Sequence, residues 1–392
     1  MKLSCRASLI KPSATLAITA KAKKLKNEGK NIVSFGAGEP DFDTPDHIKN
    51  AVKDALDNGQ TKYTPVSGID ELKAAIAEKF SSDYGINYEK SEIIVSCGGK
   101  HSLYNIFSAM LDEGDEIIVP SPYWVSYTEI IKLSGGVPAI ADTSKNNFKF
   151  NLKLLEKHLT NKTRGVILNS PSNPTGVLMD EKDITDIAHF AQKNGLYIIT
   201  DDIYEKIIFD GKKFFNALMA DKSMKENTIA VNAVSKTYSM TGFRIGYTAG
   251  PKDLISAMNN IQSQSTSNPT TFAQYGALAA LKGGYEFTVM MRDEFQKRRD
   301  YMLDFFDKNI KSIIPVKPDG AFYLFIDVSK IFGKHINSSA EFCDYLLEKY
   351  LVAAVPGIEF GNDNFVRLSF ATGLDAIKEG VNRIKEAVNS LS

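Results

Sequence analysis

Ser235-Lys236-Thr237-Tyr238-Ser239-Met240-Thr241-Gly242-Phe243-Arg244 is the stretch of this chain with most scope for chemistry. Lys236 sits among small hydroxyl residues just after Thr228-Ile229-Ala230-Val231, an apolar run that reads as a strand. A lysine at the end of a buried strand is costly unless its charge is used or its amine is neutral. One chemistry wants such an amine: a Schiff base to an aldehyde, with a separate cation such as Arg244 holding an anionic group. The bare stretch reads equally as a solvated lysine and arginine on a surface loop, so the decision falls to other residues.

Those residues fall at the ends of strand-like runs. Asp201 closes Tyr197-Ile198-Ile199-Thr200; on their own, Asp201 and Asp202 would be solvent-facing loop residues. Asn173-Pro174-Thr175-Gly176 carries an ordinary turn signal. Cys97-Gly98-Gly99-Lys100 marks a strand-to-helix turn, where free helix amides favour an anion. Gly36-Ala37-Gly38 also follows a strand, but the third glycine of a dinucleotide fingerprint is missing and Pro40 intervenes. Val366-Arg367-Leu368-Ser369-Phe370 alternates, which aims Arg367 away from its apolar neighbours and by itself suggests solvent.

The elements that must position these residues form two patterns. Up to residue 284, short apolar strands alternate with amphipathic helices, the signature of an α/β fold whose mostly parallel sheet is covered by helices. Ligands of such sheets bind at the carboxyl ends of the strands. From Tyr285 the pattern becomes a long helix, strands near 321–328, 351–355 and 365–370, and a closing helix: a second, smaller α+β domain. Helix starts are expected at Thr44-Pro45 and at capping boxes of Ser67 with Asp70 and Thr372 with Asp375. Arg292, Lys297, Arg298 and Arg299 read as a solvated helix face.

The 392 residues, 43% of them apolar, suffice for two domains. Lysine plus arginine (47) equals aspartate plus glutamate (47), which argues against nucleic-acid or anionic-membrane partners. No apolar run approaches the roughly eighteen residues of a membrane span, and no secretory signal is read at Met1-Lys2-Leu3-Ser4-Cys5. Cys5, Cys97 and Cys343 are odd in number and scattered, which suits a reducing compartment and offers no metal site.

Ser-Lys-x-Tyr-Ser-Met-Thr-Gly-Phe-Arg-x-Gly, from Ser235 to Gly246, resembles the signature of the fold-type I, class I aminotransferases that use pyridoxal 5'-phosphate. The likeness runs from Lys11-Pro12-Ser13-Ala14-Thr15 to Val366-Arg367-Leu368-Ser369-Phe370-Ala371. It is nearest to the bacterial aspartate aminotransferases, in the branch that also holds aspartate/prephenate enzymes. The resemblance implies residues 1–43 as an N-terminal arm and the start of the small domain, 44–284 as the cofactor-binding domain and 285–392 as the small domain.

It also implies roles. Lys236 is the catalytic lysine that holds the cofactor and moves the substrate proton. Asp201 partners the ring nitrogen, and Asn173 and Tyr204 donate to the phenolic oxygen, Tyr204 ranking with the catalytic residues. Gly99, Lys100, Ser235 and Arg244 resemble the phosphate ligands, joined by Tyr63 from a neighbouring subunit. Trp124 stacks on the ring and, with Asn173 and the amide of Gly38, faces the substrate. Arg367 grips the α-carboxylate; Lys100 reads the distal carboxylate, with Thr15 and Lys11, the latter linked to prephenate use. The family reading is a cytoplasmic homodimer with shared active sites, passing an amino group from L-aspartate to 2-oxoglutarate. Alternatives are the same mechanism on prephenate or on aromatic and neutral amino acids, or a sugar- or nucleotide-binding doubly wound protein without a covalent cofactor.

Overall fold

A computed structural model describes residues 4–10, 12, 14–333 and 335–391. Its first eight strands are β1 (Val33–Ser34), β2 (Ile93–Ser96), β3 (Glu116–Ser121), β4 (Val137–Asp142), β5 (Thr163–Asn169), β6 (Tyr197–Asp201), β7 (Thr228–Ala233) and β8 (Gly246–Ala249). Seven of them make one sheet, ordered β2-β8-β7-β6-β5-β3-β4. Strand β8 runs antiparallel to β2 and β7, and the other neighbours are parallel. Every residue of β2 and β7 is buried, so their runs are apolar almost throughout, as a sheet covered on both faces demands.

Strand β4 is an element that the apolar runs do not reveal. It lies at the sheet edge and contains Pro138, in register with Ile117 of β3. An edge strand tolerates a residue with no amide to donate, and its half-exposed pattern carries little hydrophobic signal.

The remaining strands are β9 (Ile314–Val316), β10 (Tyr323–Asp327), β11 (Val352–Ala353), β12 (Val355–Pro356) and β13 (Phe365–Ser369). Four form an antiparallel sheet in the order β12-β13-β10-β9, while β1 pairs with β11 in parallel. The chain thus combines a mostly parallel helix-covered sheet with a smaller α+β unit. Phe35, next to β1, shares a hydrophobic core with Phe295, Phe322, Leu368 and Ile377, so the segment before Thr44 packs with the C-terminal elements.

Three expected helix caps are not made. Pro45 occupies the N-cap of the helix Asp46–Asp57, and the Thr44 hydroxyl instead donates to the Ser239 carbonyl at 2.6 Å. Ile69 and Gly373 stand at the other two N-caps, without side-chain capping. Gln274 takes the Ile69 amide at 2.8 Å, a tertiary acceptor replacing the local one.

The basic cluster is also only partly a solvated face. Lys297 is exposed, but Arg298 and Arg299 are buried in the helix Glu286–Asn309. Arg298 donates to both carboxylate oxygens of Asp41, at 2.8 and 2.9 Å, and Arg299 pairs with Asp210 at 2.7 Å. Glu294 and Asp300 also pair with them locally, but Asp41 and Asp210 lie far away in sequence, which local pattern does not reveal. No helix among the described residues is long and apolar enough to cross a membrane.

Candidate active site

Parallel pairing sets neighbouring strand ends side by side. Asn169, the last residue of β5, is in register with Asp201, the last of β6, and Asp201 with Val231 of β7. Directly after Ala233, the chain turns through the short helix Val234–Thr237 and presents Lys236, three residues past the strand end. The Asn169 amide donates to the Asp201 carbonyl at 2.8 Å, and its side-chain oxygen receives the Asn173 amide at 2.9 Å. Asn169 therefore ties the turn carrying Asn173 to the strand end carrying Asp201.

A cavity of about 180 Å³ opens at these ends. Lys236, Asp201, Tyr204 and Asn173 line it together with Trp124 and Lys100. Gly38 and Arg367 complete it from the β1 loop and β13. The Lys236 amine donates to the Gly38 carbonyl. Arg367, 2% exposed, donates to Asn173 Oδ1 at 3.0 Å and to the Gly36 carbonyl at 3.2 Å. Its guanidinium carbon lies 4.3 Å from the Tyr323 ring centre and 5.0 Å from that of Phe360. The Arg367 Nε is buried without a partner, and the groups acting on this cation are the Tyr323 and Tyr204 phenols, with no carboxylate paired to it among the described residues.

The electrostatics follow from burial. Lys236 is brought down to about 8, chiefly by desolvation; Glu39 and Asp201 oppose this, while Arg244 and Arg367 add to it. Asp201 is pushed up to about 6 by desolvation, against the Tyr127 hydroxyl, the Ile203 amide and Lys236. Burial also lowers Lys100, with Arg244 adding to the effect, and the Lys100 amine sits 5.1 Å from the Trp124 ring centre. The result is an amine that can be neutral near pH 8 beside a carboxylate that is ionised above about pH 6.

An anion cradle adjoins the cavity. The helix Gly99–Met110 begins without a side-chain cap, after Gly98 at φ 90°. That left-handed backbone suits glycine, and a side chain there would strike the Arg244 guanidinium packed against it. Gly246 is needed for a second reason, since any Cβ there would meet the Gly99 backbone. Arg244 is held by the carbonyls of Thr241 at 2.9 Å and Cys97 at 3.4 Å. Ser235, buried, precedes Lys236. Uncapped helix amides and a guanidinium suit a phosphate.

Tyr63 is not in this cavity. It is 91% exposed, beside an open hollow shared with Asn268 and Phe272. Lys11 lies outside the described residues, and Thr15 falls in the helix Ala14–Asn27 with its side chain outside them too. Asp202 turns away from the cavity and accepts from Thr200 at 3.0 Å and Asn216 at 2.9 Å. Among the described residues, no cluster of His, Cys, Asp and Glu could hold a metal.

A family model described as aminotransferase class I and II matches residues 30–384. The chain belongs to the class I and II aminotransferases. This aminotransferase is 46% identical to the aspartate aminotransferase of Bacillus subtilis, over 100% of both chains. It is 48% identical to a probable aspartate/prephenate aminotransferase of Rickettsia typhi, over 99% of both. Among solved structures, the aspartate aminotransferase of Rhizobium meliloti matches with a TM-score of 0.95 and 41% identity, over 100% of both chains. That of Thermus thermophilus with maleate matches at 0.94 and 39%, over 99% of this chain and 100% of the other. Membership favours transamination over a sugar- or nucleotide-binding role.

Sequence reading of this aminotransferase passes over Tyr127, Asn169 and Tyr323. Tyr127 lies in the first turn of the helix Ser126–Leu133, just after Trp124, and their rings meet edge-on at 5.3 Å. Its hydroxyl donates to Asp201, a contact that the sequence pattern does not reveal. For Tyr323 no sequence signal exists, because its partner Tyr204 is 119 residues away.

Proposed function

We propose that this aminotransferase carries the amino group of L-aspartate to 2-oxoglutarate, giving oxaloacetate and L-glutamate, with pyridoxal 5'-phosphate as its cofactor, in the cytoplasm. The observation that carries the reading is a buried arginine, Arg367, with no carboxylate partner among the described residues, in the same cavity as a lysine of lowered basicity. An unpaired buried cation is costly, and an α-carboxylate would offset that cost with the fork geometry that arginine offers.

The donor set fits the cofactor. Gly99, Lys100, Ser235, Arg244 and the partner-facing Tyr63 would hold its phosphate, Asp201 its ring nitrogen, Asn173 and Tyr204 its phenolic oxygen, and Trp124 its ring face. When bound, pyridoxal phosphate supplies an aldehyde for the amino group and a ring that accepts the electrons left on the substrate Cα. Lys236 takes the proton from that Cα as its general base, which its lowered affinity for protons permits near neutral pH. Arg367 fixes the α-carboxylate, and Lys100 reads the distal one alongside Thr15 and Lys11, with the Gly38 amide nearby. Asp201, ionised, keeps the ring nitrogen protonated.

Residues 44–284 form the cofactor-binding domain in this reading, and 1–43 with 285–392 the smaller one. Two copies pair so that each Tyr63 serves the other's phosphate; its 91% exposure supports a role outside its own chain. A second reading, prephenate as amino acceptor, is supported by the 48% identity to the Rickettsia typhi protein.

Half-reactions test the proposal. The cofactor-loaded enzyme is mixed with aspartate, glutamate, phenylalanine or arogenate, and its amino form with prephenate, while the cofactor absorbance is followed. Aspartate and glutamate are expected to react fastest. Conversion by phenylalanine or arogenate alone would overturn the aspartate assignment, and fast reaction of prephenate would establish the second reading.

A further inference from the structure

Tyr204 and Tyr323 share one hydrogen bond, hydroxyl to hydroxyl, at 2.9 Å. Both are buried, at 3% and 1% exposure, and both line the cavity that holds Lys236 and Arg367. They come from opposite parts of the fold. Tyr204 lies three residues past the end of β6, while Tyr323 begins β10, in register with Ser369 of β13. Phe322 packs its ring against both, at 5.5 and 4.7 Å, so neither phenol is free to swing away. Among the described residues, neither hydroxyl has another hydrogen-bond partner.

A phenolic hydroxyl carries one proton and accepts through its lone pairs. Two hydroxyls that share one bond therefore leave one proton free, and it belongs to the acceptor. If Tyr204 donates to Tyr323, Tyr204 shows a lone pair to the cavity and repels an anionic oxygen there. If Tyr323 donates, the Tyr204 proton is free to point inward. The Arg367 guanidinium over the Tyr323 ring favours the second arrangement, because a cation on the ring face draws charge from the oxygen and makes its O–H the better donor.

We infer that Tyr323 is a positioning residue that donates its proton to Tyr204, and so commits Tyr204 as a donor to the phenolic oxygen of pyridoxal phosphate. The inference rests on the cofactor reading proposed above and goes beyond it, since it assigns a task to a residue of the smaller sheet. A hydroxyl that accepts one hydrogen bond is polarised into a stronger donor of the next. Because Tyr323 belongs to the same small sheet as Arg367, the strength of the Tyr204 bond becomes sensitive to how that sheet sits on the cavity.

The charged and titratable groups facing the pair are Lys236 after β7, Asp201 at the end of β6, Tyr127 on the helix Ser126–Leu133, Arg367 on β13 and Lys100. Glu39, in the loop after β1, acts on Lys236. All of them persist when a single hydroxyl is removed, so a changed titration reports on that hydroxyl.

The test titrates the absorbance of the bound cofactor in holoenzyme carrying Tyr323→Phe, Tyr204→Phe or both. Losing a donor to the phenolic oxygen lets the proton nearby be held more tightly, which raises the pH midpoint. Tyr323→Phe is expected to raise it by about 0.5–1 pH unit, the scale of one hydrogen bond. Tyr204→Phe should raise it further, and the double variant should match Tyr204→Phe alone. A Tyr323→Phe midpoint equal to wild type, with only the thermal unfolding temperature lowered, would overturn the inference. So would additive shifts in the double variant, because Tyr323 would then act without Tyr204. A wild-type protein that gives no titrating cofactor absorbance would overturn the cofactor reading itself, and the inference with it.

Discussion

The Tyr127 hydroxyl donates to Asp201 Oδ2 at 2.6 Å, and this hydrogen bond does most to hold down a carboxylate that burial has pushed up to about 6. Losing that donor raises the Asp201 pKa further, so less of it is ionised at neutral pH. In Tyr127→Phe, the acid limb of the pH profile of kcat/KM is expected to move up by about one pH unit. An unmoved limb would remove Tyr127 from the machinery.

Asp201 itself couples function to stability. Its pKa rises from 3.8 in the unfolded chain to about 6 in the folded one, so the folded state holds the proton more tightly. Stability is therefore lost as pH climbs from about 4 to about 6. Cofactor-free Asp201→Asn should unfold at higher denaturant than wild type at pH 8, by on the order of 2–3 kcal/mol, with the gap closing at pH 4. With cofactor added, the same variant should turn over far more slowly. A gap independent of pH would show that the carboxylate is not strained by burial.

Replacing Lys236 removes the amine on which the proposed chemistry rests. Lys236→Ala should abolish fixation of the cofactor to the protein by borohydride, read by mass spectrometry, together with nearly all turnover. Activity within about tenfold of wild type, roughly 1.4 kcal/mol of barrier, would dismiss the assignment.

Arg367 meets Asn173 and Gly36 through different nitrogens, a fork that lysine cannot reproduce. Arg367→Lys should therefore cut kcat/KM for aspartate by on the order of 100-fold, about 2–3 kcal/mol, the cost of a lost charged hydrogen-bond pair. Binding of an unreactive dicarboxylate, followed by calorimetry, should weaken in parallel. Unchanged binding would move the carboxylate site elsewhere.

Tyr63 predicts complementation between damaged chains. A Tyr63→Ala chain mixed with a Lys236→Ala chain gives heterodimers in which both lesions fall on one site. The other site keeps its own Lys236 and receives an intact Tyr63, so activity should return at up to one site in two. If mixtures verified to contain heterodimers show no gain, Tyr63 works within its own chain or not at all.

How far the sequence alone reached depends on whether a property is local. The β/α alternation, the strand end at Asp201 and the place of Lys236 shortly after a strand can be read because runs of apolar residues report burial directly. The signature from Ser235 to Gly246 could be read for a similar reason: a lysine, a glycine and an arginine within ten residues are constrained by one turn.

Burial of polar side chains was a different matter. Alternation assigned Arg367 to solvent, yet the Tyr323 and Phe360 rings cover it, because the opposite face of its sheet meets the cavity. Arg298 and Arg299 looked like a solvated face until Asp41 and Asp210, each from a remote loop, met them. Thr44 lost its capping role to the Ser239 carbonyl, 195 residues away. Nothing local marks Tyr127 or Tyr323, whose hydroxyls meet Asp201 and Tyr204 only through the fold. A hydrogen bond is decided within a few tenths of an ångström by groups far apart along the chain, and only tertiary packing sets that distance.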